Sequence, residues 1–145
     1  GCWPGSWSQF CKRILGNTGL ILGIDTKEIQ DIEIIFIKKN VMDKDIIQEI
    51  SKVSGKFDLV LSDLAPKTTG IQDSEYSMDL ANQAFYISTK LLKSNGNFVV
   101  KVFQGKDLNK FIDKLKSKFR FVKSTKPLAS KKTSKEIYIV CLGKR

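Results

Sequence analysis

The apolar residues of this chain fall into short, nearly unbroken runs set between longer stretches of helical spacing. Leu20–Asp25, Ile32–Ile37, Phe57–Asp63, Phe98–Phe103, Phe119–Ser124 and Glu136–Leu142 are rich in β-branched and aromatic residues, and they predict buried strands. Helical spacing predicts helices over Ser6–Leu15, Asp43–Val53, Tyr76–Lys93 and Asp107–Lys118. On the second, Ile46, Ile47 and Ile50 share a face; on the last, Leu108, Phe111, Ile112 and Leu115 turn inward and lysines outward. Ser6 and Asp43 are candidate caps, and Gly16-Asn17 and Ser94-Asn95-Gly96 are stops. Leu64–Glu75 and the basic Lys126–Lys135 read as loops.

Strands alternating with helices predict an α/β fold, a mostly parallel sheet with helices on both faces. The last two strands are joined by a loop alone, which predicts an antiparallel hairpin at the end of the sheet. In such sheets ligands sit outside the carboxyl ends of the strands. Gly5, Asp25, Asn40 and Asp63 all fall at such ends. The opening Gly1-Cys2-Trp3-Pro4-Gly5-Ser6-Trp7-Ser8-Gln9 is a glycine turn leading into a helix, and such a turn normally follows a strand. A strand upstream of Gly1 is therefore expected. At 145 residues the chain fits a single domain.

One residue breaks the apolar pattern. Lys101 stands in the middle of Phe98-Val99-Val100-Lys101-Val102-Phe103. A buried ammonium is costly unless it is paired or has chemistry to do. The bland alternative is an edge-strand lysine reaching solvent. A glycine turn followed by an acid at the next strand end, Asp25, describes a nucleotide-type site, in which the carboxylate accepts hydrogen bonds from ribose hydroxyls. The turn is not G-x-G-x-x-G, which disfavours a dinucleotide, and no phosphate-binding G-x-x-x-x-G-K-[ST] loop is present.

Composition narrows the chemistry further. There is no histidine, which excludes Ser-His-Asp and Cys-His catalysis and His-ligated metals. The three cysteines, Cys2, Cys11 and Cys141, form no C-x-x-C and read as reduced thiols of a cytosolic protein. No run approaches a membrane span or a signal peptide. The net charge is +10, and residues 106–145 carry all of the excess, with 13 Lys/Arg against 3 Asp/Glu. That segment is either a solvated basic surface or a track for a polyanion, most simply nucleic acid.

Four stretches together carry a resemblance: G-C-W-P-G-S-W-S-Q (1–9), V-L-S-D-L-A-P (60–66), F-V-V-K-V-F-Q-G (98–105) and S-K-E-I-Y-I-V (134–140). In that order, across the chain, they resemble the motifs of the FtsJ/RlmE family of S-adenosylmethionine-dependent RNA 2′-O-ribose methyltransferases. K-V-F-Q-G and E-I-Y-I-V are more similar to the bacterial ribosomal-RNA branch than to the tRNA branch. The resemblance implies a Rossmann-like class I methyltransferase domain over residues 1–145 whose first strand lies upstream. It implies S-adenosylmethionine as cofactor, no metal, and a cytosolic monomer acting on RNA, a uridine of 23S ribosomal RNA or the ribosomal large subunit, through the basic C-terminal third. It also implies a Lys-Asp-Lys-Glu tetrad. Asp63, Lys101 and Glu136 match its last three members, and the first lysine belongs upstream of the glycine turn. The implied cofactor contacts are Gly5, Trp7, Asp25 and Asp63, plus an acid that is Asn40 here; an amide oxygen can still accept from the adenine amino group. Lys101 would activate and steer the ribose hydroxyl, as general base or as hydrogen-bonding partner, with Asp63 and Glu136 orienting it. Three alternatives stay open: an RNA-binding module with a degenerate site, a tRNA 2′-O-methyltransferase, and a methyltransferase for a small molecule or protein.

Overall fold

The computed structural model describes residues 1–66, 73–127 and 134–145, grouped into two compact units, Gly1–Gly55 and Lys56–Arg145. The first unit holds α1 (Ser6–Leu15), β1 (Leu22–Asp25), β2 (Ile35–Lys38) and α2 (Ile46–Val53). β1 and β2 pair in parallel, from Leu22 opposite Ile35 to Asp25 opposite Lys38. The predicted cap of α1 moves by one residue. Gly5 is the N-cap, with φ of 122°, and Ser6 begins the helix itself. Glycine is required there: a Cβ would stand 2.5 Å from Ile32 Cδ1, in a backbone conformation that side chains disfavour. α2 starts at Ile46, three residues later than predicted. Asp43 is spent on a tight turn, its carbonyl accepting from Ile46 N at 3.1 Å.

The second unit holds β3 (Phe57–Ser62), α3 (Asp73–Leu91), β4 (Leu92–Phe103), α4 (Leu108–Lys118), β5 (Phe119–Thr125) and β6 (Glu136–Lys144). Its four-stranded sheet has the order β3-β4-β6-β5. β3 and β4 are parallel, and β6 runs antiparallel to both β4 and β5. The expected terminal hairpin is present, with its second strand set between β4 and β5.

The predicted stop at Ser94-Asn95-Gly96 lies inside β4 instead. Leu92, 1% exposed, already pairs with Phe57, and the irregular step follows it. Asn95 takes φ of 63°, and a Cβ on Gly96 would stand 2.9 Å from Lys93 O, so glycine fits the irregular step at which the register shifts between Phe57 and Leu59. α3 therefore ends on a side-chain cap: Lys144 Nζ donates to the carbonyls of Thr89 and Leu92 at 2.5 and 2.9 Å. Parts of the two predicted loops, at 67–72 and 128–133, lie outside the described residues.

α3 and α4 pack on one face of this sheet. Met78, Ala81 and Ala84 of α3 and Phe111 and Leu115 of α4 meet Phe98, Val100 and Val102 of β4 and Ile137, Ile139 and Cys141 of β6. Phe98 is fully buried, its ring centroid 6.1 Å from that of Phe119 and 6.5 Å from that of Phe85. The residues between these, Val99, Lys101, Tyr138 and Val140, point to the opposite face by strand alternation. Among the described residues, no helix is long and apolar enough to cross a membrane.

The aromatic cluster makes Phe98 a sensitive position of the second unit. Phe98→Ala is expected to lower stability by about 3–5 kcal/mol, through lost burial plus an unfilled cavity. Urea unfolding followed by tryptophan-independent circular dichroism measures it, and a loss below about 1 kcal/mol would contradict this packing.

Candidate active site

The second unit gathers three predicted residues around one ammonium. Lys101 sits on β4, opposite Tyr138 of β6 in the antiparallel register, and is 8% exposed. Asp63 follows the last residue of β3, Ser62, which pairs with Val100. Glu136 begins β6 opposite Phe103. Alternation then turns Asp63 and Lys101 to the same side of neighbouring strands. Lys101 Nζ lies 3.1 Å from Asp63 Oδ1 and 4.0 Å from Glu136 Oε1. The nearer carboxylate forms an ion pair with the ammonium and the farther one adds field. An ammonium has three donors, so capacity remains for a substrate oxygen.

Supports hold each member in place. Tyr138 Oη donates to the same Asp63 Oδ1 at 3.2 Å, while Oδ2 has no partner among the described residues. Burial pushes the Tyr138 hydroxyl up to about 12, with the Asp63 charge and hydrogen bond and the Glu136 charge adding to the shift. It stays a donor across the physiological range. Ser134 Oγ donates to Glu136 Oε2 at 3.4 Å and accepts from Glu136 N at 3.1 Å. The end of β4 is pinned as well: Phe103 N donates to the buried Ser77 Oγ at 3.1 Å, and Gln104 N to Lys135 O at 2.8 Å. Sequence reasoning missed Tyr138, Ser134 and Ser77. For Tyr138 the signal was available, since a period of two from Glu136 puts it on the same face.

The remaining predicted residues belong to the first unit. The N–H groups of the first turn of α1 have no side-chain cap, and the Gly5 turn leads directly into them. Trp7, in that turn, is half-buried. Asp25 ends β1 with its side chain 15% exposed; Oδ2 accepts from Trp3 N and Oδ1 from Lys27 N, each at 3.0 Å. Each oxygen keeps a lone pair for a hydroxyl donor. Burial works to raise the carboxyl, but hydrogen bonds from Lys27 and Trp3, the charge of the Gly1 ammonium 3.7 Å away and a hydrogen bond from Thr26 together hold the group below its usual range. Asn40 is exposed, and its Oδ1 accepts from Met42 N at 3.0 Å, so the oxygen expected for a ligand already closes a local turn.

The thiols are not candidate nucleophiles. Burial raises all three, and pushes Cys141, deep in the core, up to about 12. A buried lysine flanked by two carboxylates instead suits the orientation and activation of a hydroxyl.

Comparison with known proteins agrees in kind. The profile described as FtsJ-like methyltransferase matches residues 1–144. The ribosomal RNA large subunit methyltransferase E of Syntrophobacter fumaroxidans is 39% identical, over 97% of this chain and 74% of its own length. That of Bdellovibrio bacteriovorus is 38% identical, over 100% of this chain and 77% of its own. A crystal structure of a ribosomal RNA methyltransferase from Plasmodium falciparum superposes with a TM-score of 0.87 at 28% identity, covering 99% of this chain and 83% of that one.

The Asp25 bonds have a pH signature. A carboxyl held low in the folded state contributes stability that is complete above the unfolded pKa, about 3.9, and is lost as pH falls through the folded value. Asp25→Asn is expected to unfold about 1 kcal/mol more easily at pH 7. The gap should narrow as pH falls from 5 to 3. Urea midpoints across that range measure it, and a gap independent of pH would contradict the assignment.

Proposed function

Because this chain belongs to the FtsJ-like methyltransferase family, we propose that it methylates the 2′-oxygen of a ribose in RNA, specifically in large-subunit ribosomal RNA, with S-adenosylmethionine as donor. The observation that carries the reading is Lys101, buried in an apolar strand and paired with Asp63 at 3.1 Å. The names of the relatives support ribosomal RNA over tRNA as the substrate.

The residues of the first unit fit the donor's chemistry. Uncapped N–H groups at α1, behind the Gly5 turn, suit the carboxylate of its methionine part, with Trp7 beside them. The free lone pairs of Asp25 suit a ribose diol. Asn40 would offer its amide to the base, with one lone pair of its oxygen already used on Met42. We assign Asp63 to cofactor contact as well as to catalysis, following the family pattern. When bound, S-adenosylmethionine supplies a methyl group on a sulfonium; the C–S bond breaks as the C–O bond forms.

A sugar hydroxyl is a weak nucleophile, so its oxygen has to be aimed and its proton removed. Lys101 hydrogen-bonds the 2′-oxygen and fixes the direction of its lone pair, and the hydroxyl proton passes to solvent as the C–O bond forms. Asp63 and Glu136 hold the ammonium in place, Tyr138 fixes Asp63, and Ser134 fixes Glu136. Positioning of this kind accounts for most of the acceleration.

Two measurements test the reading. Full-length protein with Lys101→Ala is expected to lose at least about a hundredfold in methyl transfer to unmodified ribosomal RNA; normal activity overturns the role of Lys101. Failure to bind S-adenosylmethionine by calorimetry, with RNA binding intact, supports a binding module instead. Lys101→Met should be equally inactive yet as stable as the native protein or more so, since an apolar side chain of similar length removes a buried ion. Thermal unfolding measures that, and a large destabilisation would show that Lys101 is there for structure.

A further inference from the structure

The most basic segment also contains a groove, away from Lys101. It has a volume of about 550 Å³ and lies between α4 and β5, the edge strand of the four-stranded sheet. Asn109, Ile112, Asp113 and Lys116, one face of α4 by their spacing, form one wall; Lys123 and Ser124 of β5 stand on the other. Ile112 also packs on the core, so the floor is apolar and the rim polar.

Resting on the functional reading above, we propose that this groove is a phosphodiester subsite. It holds the RNA strand flanking the methylated nucleotide, with Lys116 and Lys123 as cations and Asn109 and Ser124 as hydrogen-bond donors. Three observations carry it. Charge is the first: from Lys106 to Lys126 the chain has eight Lys/Arg against two Asp/Glu, and Lys123 has no ion pair among the described residues. The one acid in the groove, Asp113, is 3.6 Å from Lys116, with both side chains more than half exposed. Such surface pairs are weak and readily exchanged for a phosphate.

Register is the second. Thr125, adjoining Ser124, is opposite Tyr138, and Tyr138 is opposite Lys101. Two strand spacings, about 10 Å, separate that end of β5 from the reacting centre. This is about three stacked nucleotides at ~3.4 Å each. Direction is the third. Lys123 pairs with Val140, and Val140 with Val99, so it shares the sheet face of Lys101 while also lining the groove. An RNA with its ribose at Lys101 meets Lys123 as it turns over the sheet edge into the groove. A protein partner would have to be an acidic segment, with no reason to start beside the reacting lysine.

The test compares two variants of the full-length protein acting on unmodified large-subunit ribosomal RNA. Lys116→Gln with Lys123→Gln alters the groove. Lys110→Gln, outside it, removes a lysine with a comparable i,i+3 ion pair to Asp107. All three side chains are exposed, so folding should persist, and thermal unfolding checks it. The groove variant is expected to raise KM for RNA about tenfold with kcat within twofold, and to reduce the slope of log affinity against log salt by about 1.5. Lys110→Gln should change neither beyond twofold. Unchanged KM and slope in the groove variant overturn the subsite, and so do equal losses in both variants, which would mean diffuse charge. If the unaltered protein methylates no ribosomal RNA, the functional reading fails instead; anisotropy of a labelled ribosomal RNA fragment still reads the subsite, as a tenfold loss of affinity or none.

Discussion

A lysine 8% exposed among valines and phenylalanines persists there only if a carboxylate meets its ammonium within hydrogen-bonding distance. That requirement organises the second unit. It needs β3 beside β4 in a register that ends β3 one residue before Asp63, and β6 beside β4 with Glu136 at its start. Moving β6 by one residue would turn Glu136 and Tyr138 away and bring Ile137 to the ammonium. The apolar face opposite resists such a slip, because Ile137, Ile139 and Cys141 would then leave the core. Packing on one face thus fixes the charge geometry on the other.

The arrangement suits a reaction limited by aim. Methyl transfer needs no metal or nucleophilic side chain in this set; it needs an oxygen held in line. A charged triad that is neither fully buried nor solvent-mobile supplies a fixed direction. The second layer, Tyr138, Ser134 and Ser77, removes the freedom that long charged side chains ordinarily retain.

Much of this was legible in the residues. Among the described residues, apolar runs located the six strands, and the 3.6-residue period the four helices, because each element buries a continuous surface. Lys101 was visible as a polar break in such a run. Strand order was not legible: periodicity reports which face of a strand is buried and says nothing about its neighbours, so the insertion of β6 between β4 and β5 had to be seen. The boundary at Leu91 was misread because Ser94-Asn95-Gly96 is turn chemistry, and here it makes an irregular step within a strand. Asn40 was read for its amide, yet its oxygen is engaged by Met42 two residues on, a local competition that spacing cannot reveal.

The insertion of β6 also orders the assembly of the protein in time. β6 follows β5 in the sequence but is an inner strand of its sheet, so β5 has no partner until Glu136–Lys144 has been made. During synthesis the chain therefore carries an unpaired β5 and a Lys101 that has Asp63 but not yet Glu136 beside it. Sheet closure and completion of the charge set are then a single late event. A nascent chain lacking β6 has neither a finished sheet nor a complete charge set, and one segment docking supplies both.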